Sequence, residues 1–260
     1  MPEAQVRSRL FTHIETLQGP RPWGRFLDAG TGVNSLQWVA SLPTSEWTAV
    51  TASEHMAERV RGAVANRRHE QDRILVGNWS SDSLLYGEAF DTVLMDYLIG
   101  AVDGFAPYWQ ERLFERFRPL VQKRLYIVGL EPYVPYPAHT PAAAVMTEIG
   151  RLRDACLLLA GERPYREYPM DWVIRQLGTA GFRLLEARQF PITFGARFIN
   201  NQLDMCLERF GRFGSEALAA AMADHVEQVR GAALELLARE GRLHHGADYV
   251  ISAEPMPGPR

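Results

Sequence analysis

Phe26-Leu27-Asp28-Ala29-Gly30-Thr31-Gly32-Val33-Asn34-Ser35-Leu36 is the stretch that decides the fold of this 260-residue chain. An apolar run ending in an acidic residue, two glycines one position apart and then an amphipathic start read as a strand turning into a helix. Glycines at such a turn let a ligand approach the backbone closely, and the start of the next helix supplies amide donors. A dinucleotide site would want a third glycine at position 35, where this chain has Ser35. Asp28, before the glycines, is poorly placed beside a pyrophosphate and well placed for the ammonium of an amino acid.

Working outward, short apolar runs alternate with longer amphipathic ones, the pattern of βαβ units and a mostly parallel sheet. A helix is expected over Glu3 to Leu17, then a strand over Arg25 to Ala29 and a helix over Asn34 to Leu42. The next strand is Trp47 to Ser53, followed by a helix over His55 to Arg68 and strands over Arg73 to Val76 and Phe90 to Met95. Tyr108 to Leu120 reads as a helix and Arg124 to Val128 as a fifth strand. Beyond a Pro- and Tyr-rich stretch, Glu131 to His139, helices are expected near Ala142 to Ala160 and Met170 to Ala180, with strands over Arg183 to Arg188 and Tyr249 to Ala253. The expected architecture is therefore α/β: a Rossmann-like, mostly parallel seven-stranded sheet with helices on both faces. Its parts are an N-terminal helix or cap in 1–24, a cofactor-binding half in 25–130, and the rest of the sheet in 131–260. Helical insertions over about 138–165 and 194–243 would form a cap over the strand ends or a homodimer surface.

Composition narrows the function. A formal charge of −3 argues against a protein held on nucleic acid by counterion release. Lys123 is the only lysine. That excludes the short-chain dehydrogenases, which need a tyrosine four residues before a lysine, because position 119 is Pro119. Cys156 and Cys206 lack the paired spacing of a zinc site and read as reduced core thiols, so no metal is expected. No apolar run approaches the roughly 20 residues needed to cross a bilayer, and the start carries no basic region followed by an apolar one. A cytoplasmic protein without membrane partners is the expectation.

The motif and the order around it resemble the class I S-adenosylmethionine-dependent methyltransferases, whose first motif is an acidic residue followed by Gly-x-Gly and usually one more glycine. Here Asn34 replaces that last glycine. The resemblance covers roughly 25–190 plus the terminal strand. It implies S-adenosylmethionine as cofactor, held by Asp28, Gly30, Thr31 and Gly32 at the turn. Glu54, with His55 beside it, would hold the ribose hydroxyls after the second strand. Asn78 would face the adenine amine and Trp79 would stack on the ring. Phe90 to Leu98 is similar to the fourth motif, which lines the reacting centre at Asp96, implied to contact the cofactor as well, and Tyr97.

Methyl transfer from a sulfonium is an in-line displacement, so positioning comes first and proton removal second. Asp96 and Tyr97 after strand four, with Glu131 and Tyr133 after strand five, can bind a cationic amine or accept a proton. Tyr97, Tyr133 and Tyr136 could box a cation or a ring, or Tyr133 and Tyr136 simply pin a proline-rich loop. His139 is the general-base candidate by chain position, and Arg197, Asn200, Asn201 and Asp204 form a polar helical patch that could face substrate. DNA base methylation is disfavoured because Asp96-Tyr97-Leu98-Ile99 differs from the Asn/Asp-Pro-Pro-Tyr/Phe motif that those enzymes share. The expected activity is methyl transfer to nitrogen or oxygen of a small molecule, with an amine favoured. Two alternatives stay open. One is aminopropyl transfer, against which Asp28 stands because that donor lacks the carboxylate-bearing amino-acid end. The other is a non-catalytic regulatory module that binds S-adenosylmethionine.

Overall fold

The computed structural model describes residues 8–257. Among them a first helix, α1 (Arg9–Gln18), leads to β1 (Arg25–Asp28), α2 (Val33–Val39), β2 (Glu46–Thr51), α3 (Glu54–Val64), β3 (Arg73–Val76) and β4 (Phe90–Asp96). Then come α4 (Leu98–Phe105), α5 (Gln110–Phe117), β5 (Val121–Leu130), α6 (Pro141–Leu159), α7 (Met170–Thr179), β6 (Phe182–Phe194), α8 (Ala196–Leu207), α9 (Glu216–Glu240) and β7 (Leu243–Pro255). The part of the expected first helix from Glu3 to Arg7 lies outside the described residues.

The seven strands form one sheet in the order β3-β2-β1-β4-β5-β7-β6. Strands β3, β2, β1, β4 and β5 pair in parallel along that row. Successive residues of the central strands point to opposite faces. Leu27, Val50, Val93 and Ile127 thus enter one core with Phe114, Phe117 and Tyr249. Phe26, Ala49, Leu94 and Val128 enter a second core with Leu10, Phe11, Ile14 and Trp38 from α1 and α2. A parallel sheet buried on both faces needs such continuous apolar strands. Helix α1 is fixed on the second face by Tyr126 Oη donating to Gln18 Oε1 at 2.7 Å and by Trp38 Nε1 donating to Glu15 Oε1 at 2.8 Å.

The chain divides into two compact units. Among the described residues the first comprises 8–130, 166–190 and 249–257 and carries both cores just described. The second comprises 131–165 and 191–248. Its core is formed by α6, α8 and α9 through Met146, Ile149, Leu152, Ile199, Leu203, Val226 and Ala233. Cys156 and Cys206 are both buried there as free thiols. Burial pushes the Cys206 thiol up to about 12, the behaviour of an inert core residue. No helix among the described residues is long and apolar enough to cross a membrane.

Four elements depart from the sequence expectation. Helix α4 was not expected, β5 begins at Val121 rather than Arg124, and β6 and β7 are each 13 residues long.

Candidate functional site

The strand order reverses between β1 and β4: the chain runs outward from β1 through β2 to β3, then returns to start β4 on the other side of β1. Open α/β sheets bind ligands outside the carboxyl ends of the strands at such a reversal. Asp28 ends β1 and Asp96 ends β4, so the quoted motif and the fourth motif meet there. The turn after β1 is seated between its neighbours. Ala29 N–H donates to Leu94 O at 2.9 Å on the β4 side, and Thr31 N–H donates to Val50 O at 2.9 Å on the β2 side.

Neither motif glycine has a positive φ. Both act through size. A Cβ on Gly30 would lie 3.1 Å from Leu98 Cβ and 3.4 Å from Asp96 O, so Gly30 lets the turn close onto the start of α4. Gly32 has extended backbone (φ −123°), and a Cβ there would meet nothing within 4 Å, which leaves open space over the turn. Asn34 lies inside α2, so the third glycine of the resembled motif is not needed for a left-handed residue here.

Asp28 is fully buried. Its Oδ2 accepts from Thr31 Oγ1 at 2.6 Å and from Ser35 Oγ at 2.8 Å, while Gly32 N–H donates to Ser35 Oγ at 3.0 Å. The other oxygen, Oδ1, is buried with no hydrogen-bond partner among the described residues. A buried acceptor left unpaired is costly, so Oδ1 is suited to a donor brought by a ligand. Burial raises the carboxyl from 3.8 to about 6, against the lowering effect of the Thr31 and Ser35 hydroxyls. Ser35 is a site residue that the sequence reading passed over, registering it as a missing glycine rather than as a hydroxyl facing Asp28.

Glu54 is the first residue of α3, exposed, and makes no hydrogen bond or ion pair among the described residues. Ser53 before it caps the helix, its hydroxyl accepting from Met56 N–H at 3.2 Å. Glu54 therefore keeps two acceptor oxygens available at the carboxyl end of β2, as a vicinal diol requires. His55 beside it is exposed.

Asn78 and Trp79 are placed differently from the expectation. Trp79 is 4% exposed and packs in the first core, its ring 4.3 Å from that of Phe117 and 5.9 Å beneath the Arg116 guanidinium. Its indole Nε1–H donates to Ala29 O at 2.7 Å. The ring is thus a buried brace rather than a stacking platform. Asn78 Nδ2 donates to Phe105 O at 2.7 Å, and its Oδ1 accepts from Ser80 N–H and Ser80 Oγ, so both ends of the amide already have partners. Asn78 ties the loop after β3 to the end of α4 in place of reading an adenine amine.

Asp96 ends β4, and Tyr97 follows it in the left-handed region (φ 50°, ψ 21°) with its N–H on Val128 O at 2.9 Å. A left-handed tyrosine is strained, a cost that persists where surrounding structure holds it. Within the first unit the carboxyl end of β4 thus gathers Asp28, the glycine turn, Asp96 and Tyr97.

Glu131 and His139 belong to the second unit. Glu131 N–H donates to Ala247 O at 2.9 Å. His139 is exposed in the loop before α6, as is Tyr136. In the same unit His245, given no role from sequence, meets Tyr133 edge-on at 5.1 Å between ring centroids, and burial lowers its pKa. Arg230 of α9 donates to Asn200 Oδ1 and Asp204 Oδ1, each at 2.9 Å, so those members of the polar patch on α8 serve helix pairing. Among the described residues no cluster of three or more His, Cys, Asp or Glu could hold a metal ion.

No protein-family model and no curated protein sequence matches the chain. Solved structures do resemble it. A methyltransferase candidate from Bacillus halodurans superposes with a TM-score of 0.61 at 15% identity, over 95% of this chain and 98% of that one. The [4+2]-cyclase SpnF gives 0.56 at 13% identity, over 95% and 80%. The mycolic acid cyclopropane synthase CmaA1, solved with S-adenosylhomocysteine, gives 0.54 at 16% identity, over 94% and 83%. The fold is the Rossmann-like α/β fold of these proteins. At such identities fold is what they share, and the site must carry the chemistry.

Proposed function

We propose that the protein is an S-adenosylmethionine-dependent methyltransferase acting on nitrogen or oxygen of a small molecule, an amine above all. The observation that carries the reading is Asp28 Oδ1, a buried acceptor without a donor at the foot of a glycine turn that is open above Gly32. The residues present fit the cofactor. Asp28 supplies a carboxylate oxygen for its ammonium, Gly32 supplies room, and Glu54 supplies two acceptors for its ribose hydroxyls. Likeness in fold to a structure solved with S-adenosylhomocysteine supports the same choice.

When bound, the cofactor supplies a methyl carbon made electrophilic by the sulfonium. The chain's residues then have to bring an acceptor lone pair into line with it and keep water out. Asp96, at the end of β4 beside the glycine turn, accepts a hydrogen bond from the acceptor N–H at its carboxylate and takes up the proton released once the N–C bond has formed. Tyr97 presents an aromatic face for a cationic acceptor. Glu131 and His139 keep the roles of amine-binding carboxylate and proton acceptor in this reading. The helices of the second unit serve substrate selection in this reading, and dimerisation is the second use proposed for them. The protein acts in the cytoplasm, without nucleic acid.

The test is release of S-adenosylhomocysteine on incubation with S-adenosylmethionine and matched panels of small amines and alcohols. Release driven by amines, and lost in Asp96→Asn, is expected. Release driven by alcohols alone would move the acceptor to oxygen. No release from either panel, with cofactor binding intact, would replace the enzyme by a regulatory module. Aminopropyl transfer is read in the same assay with the decarboxylated donor.

A further inference from the structure

The loop after β3 does more than fill the core beneath the glycine turn. Trp79 Nε1–H donates to Ala29 O at 2.7 Å across 50 residues of sequence, and both groups are buried. The Ala29–Gly30 peptide is trans, as are all peptide bonds among the described residues. In a planar trans peptide the carbonyl and the amide N–H point in opposite directions. The hydrogen bond that holds Ala29 O therefore also fixes which way Gly30 N–H points. Ala29 N–H, in the preceding peptide, is committed to Leu94 O at 2.9 Å, so Ala29 is held through the peptides on both sides of its Cα.

The indole is itself held. Its ring lies against Phe117 and under Arg116, and Arg116 also donates to Ser81 O and Leu84 O, pinning the loop that carries Trp79. Leu84 in turn lies over Gly77, whose Cβ would come 2.8 Å from Leu84 Cδ1, and Gly77 N–H bonds Thr51 O at 2.9 Å.

We propose that Trp79 is a positioning residue for the cofactor turn: its indole N–H orients the Ala29–Gly30 peptide so that the turn binds S-adenosylmethionine without first having to order itself. The role rests on the cofactor reading given above. Without the donor, the carbonyl is left unpaired in the core and the peptide samples other orientations, so the ordering cost falls on binding.

The experiment measures calorimetric Kd for S-adenosylhomocysteine and Tm in three proteins. Trp79→Phe keeps a ring against Phe117 and removes the donor. Leu177→Ala opens the same core on α7 and leaves Trp79 and its neighbours in the brace unchanged. Trp79→Phe should weaken binding by about tenfold, while Leu177→Ala lowers Tm and leaves Kd within about twofold. Equal Kd in wild type and Trp79→Phe, or an equal loss in Leu177→Ala, overturns the proposal. Should Trp79→Phe not fold, benzothienylalanine at position 79, which keeps the shape and replaces N–H by sulfur, takes its place with the same expected loss. No binding by the wild-type protein would instead overturn the cofactor reading, and Trp79's role with it.

Discussion

Lowering the pH from 7 to 5 should weaken cofactor binding through one residue, Asp28. Its carboxyl is fully buried and titrates at about 6, and its Oδ1 has no protein donor. Only the ionised form attracts an ammonium strongly. At pH 5, a unit below that value, about one molecule in ten carries the charge, so Kd for S-adenosylhomocysteine should rise roughly tenfold relative to pH 7. Above about pH 8 the ligand's own α-amino group loses its proton, and affinity should fall again. Calorimetry between pH 5 and 9 reads both limbs. Methylthioadenosine, which lacks the amino-acid end, should show neither, and Asp28→Asn should lack the acid limb. The same group links pH to stability in the opposite sense. The folded protein holds this proton more tightly than the unfolded chain, so its contribution is full below about pH 3.8 and is lost as pH rises through about 6. The shift corresponds to about 3 kcal/mol. A Kd unchanged between pH 5 and 7, or the same acid limb in Asp28→Asn, would refute the assignment.

Other substitutions separate the turn's parts. Gly32→Leu should cost the free protein at most about 1 kcal/mol in denaturant unfolding, since only an N-cap preference is lost, yet weaken S-adenosylhomocysteine binding more than about tenfold by filling the space above the turn. Gly30→Ala should do the reverse, losing about 1–3 kcal/mol because its Cβ crowds Leu98 and Asp96 O. Ser35→Ala removes a donor to Asp28 and an acceptor for Gly32 N–H; a stability loss of about 1–2 kcal/mol is expected, with the Asp28 titration moved higher. Glu54→Gln should leave stability within about 0.5 kcal/mol and raise Kd by about tenfold. Asp96→Asn should lower kcat with Kd for the cofactor near normal.

Much of the first unit was legible because its strands are apolar runs bounded by turn residues, and β3 falls on the four residues expected, Arg73–Val76. Helix α4 was not legible: Leu98 to Phe105 is apolar with Gly100 and Gly104, poor intrinsic helix material. It forms because Leu98, Ile99 and Val102 are buried in the first core. The length of β6 was hidden by Pro191, which reads as a strand end, and the start of β7 by His244-His245-Gly246, which reads as a turn and carries a φ of 70° at Gly246. At the site, residue type gave the acidic residues at the strand ends, since their spacing follows the βα period. It could not tell that Trp79 faces inward or that both ends of Asn78 are engaged, because those facts depend on Ala29 and Phe105, 50 and 27 positions away.

The most direct test of the central claim is calorimetric titration of the purified protein with S-adenosylmethionine, S-adenosylhomocysteine and NAD(P) in parallel. The account predicts one-to-one, micromolar binding of the first two and none of the nicotinamide dinucleotides. Binding of NAD(P), or failure of both sulfur ligands to bind, would contradict it.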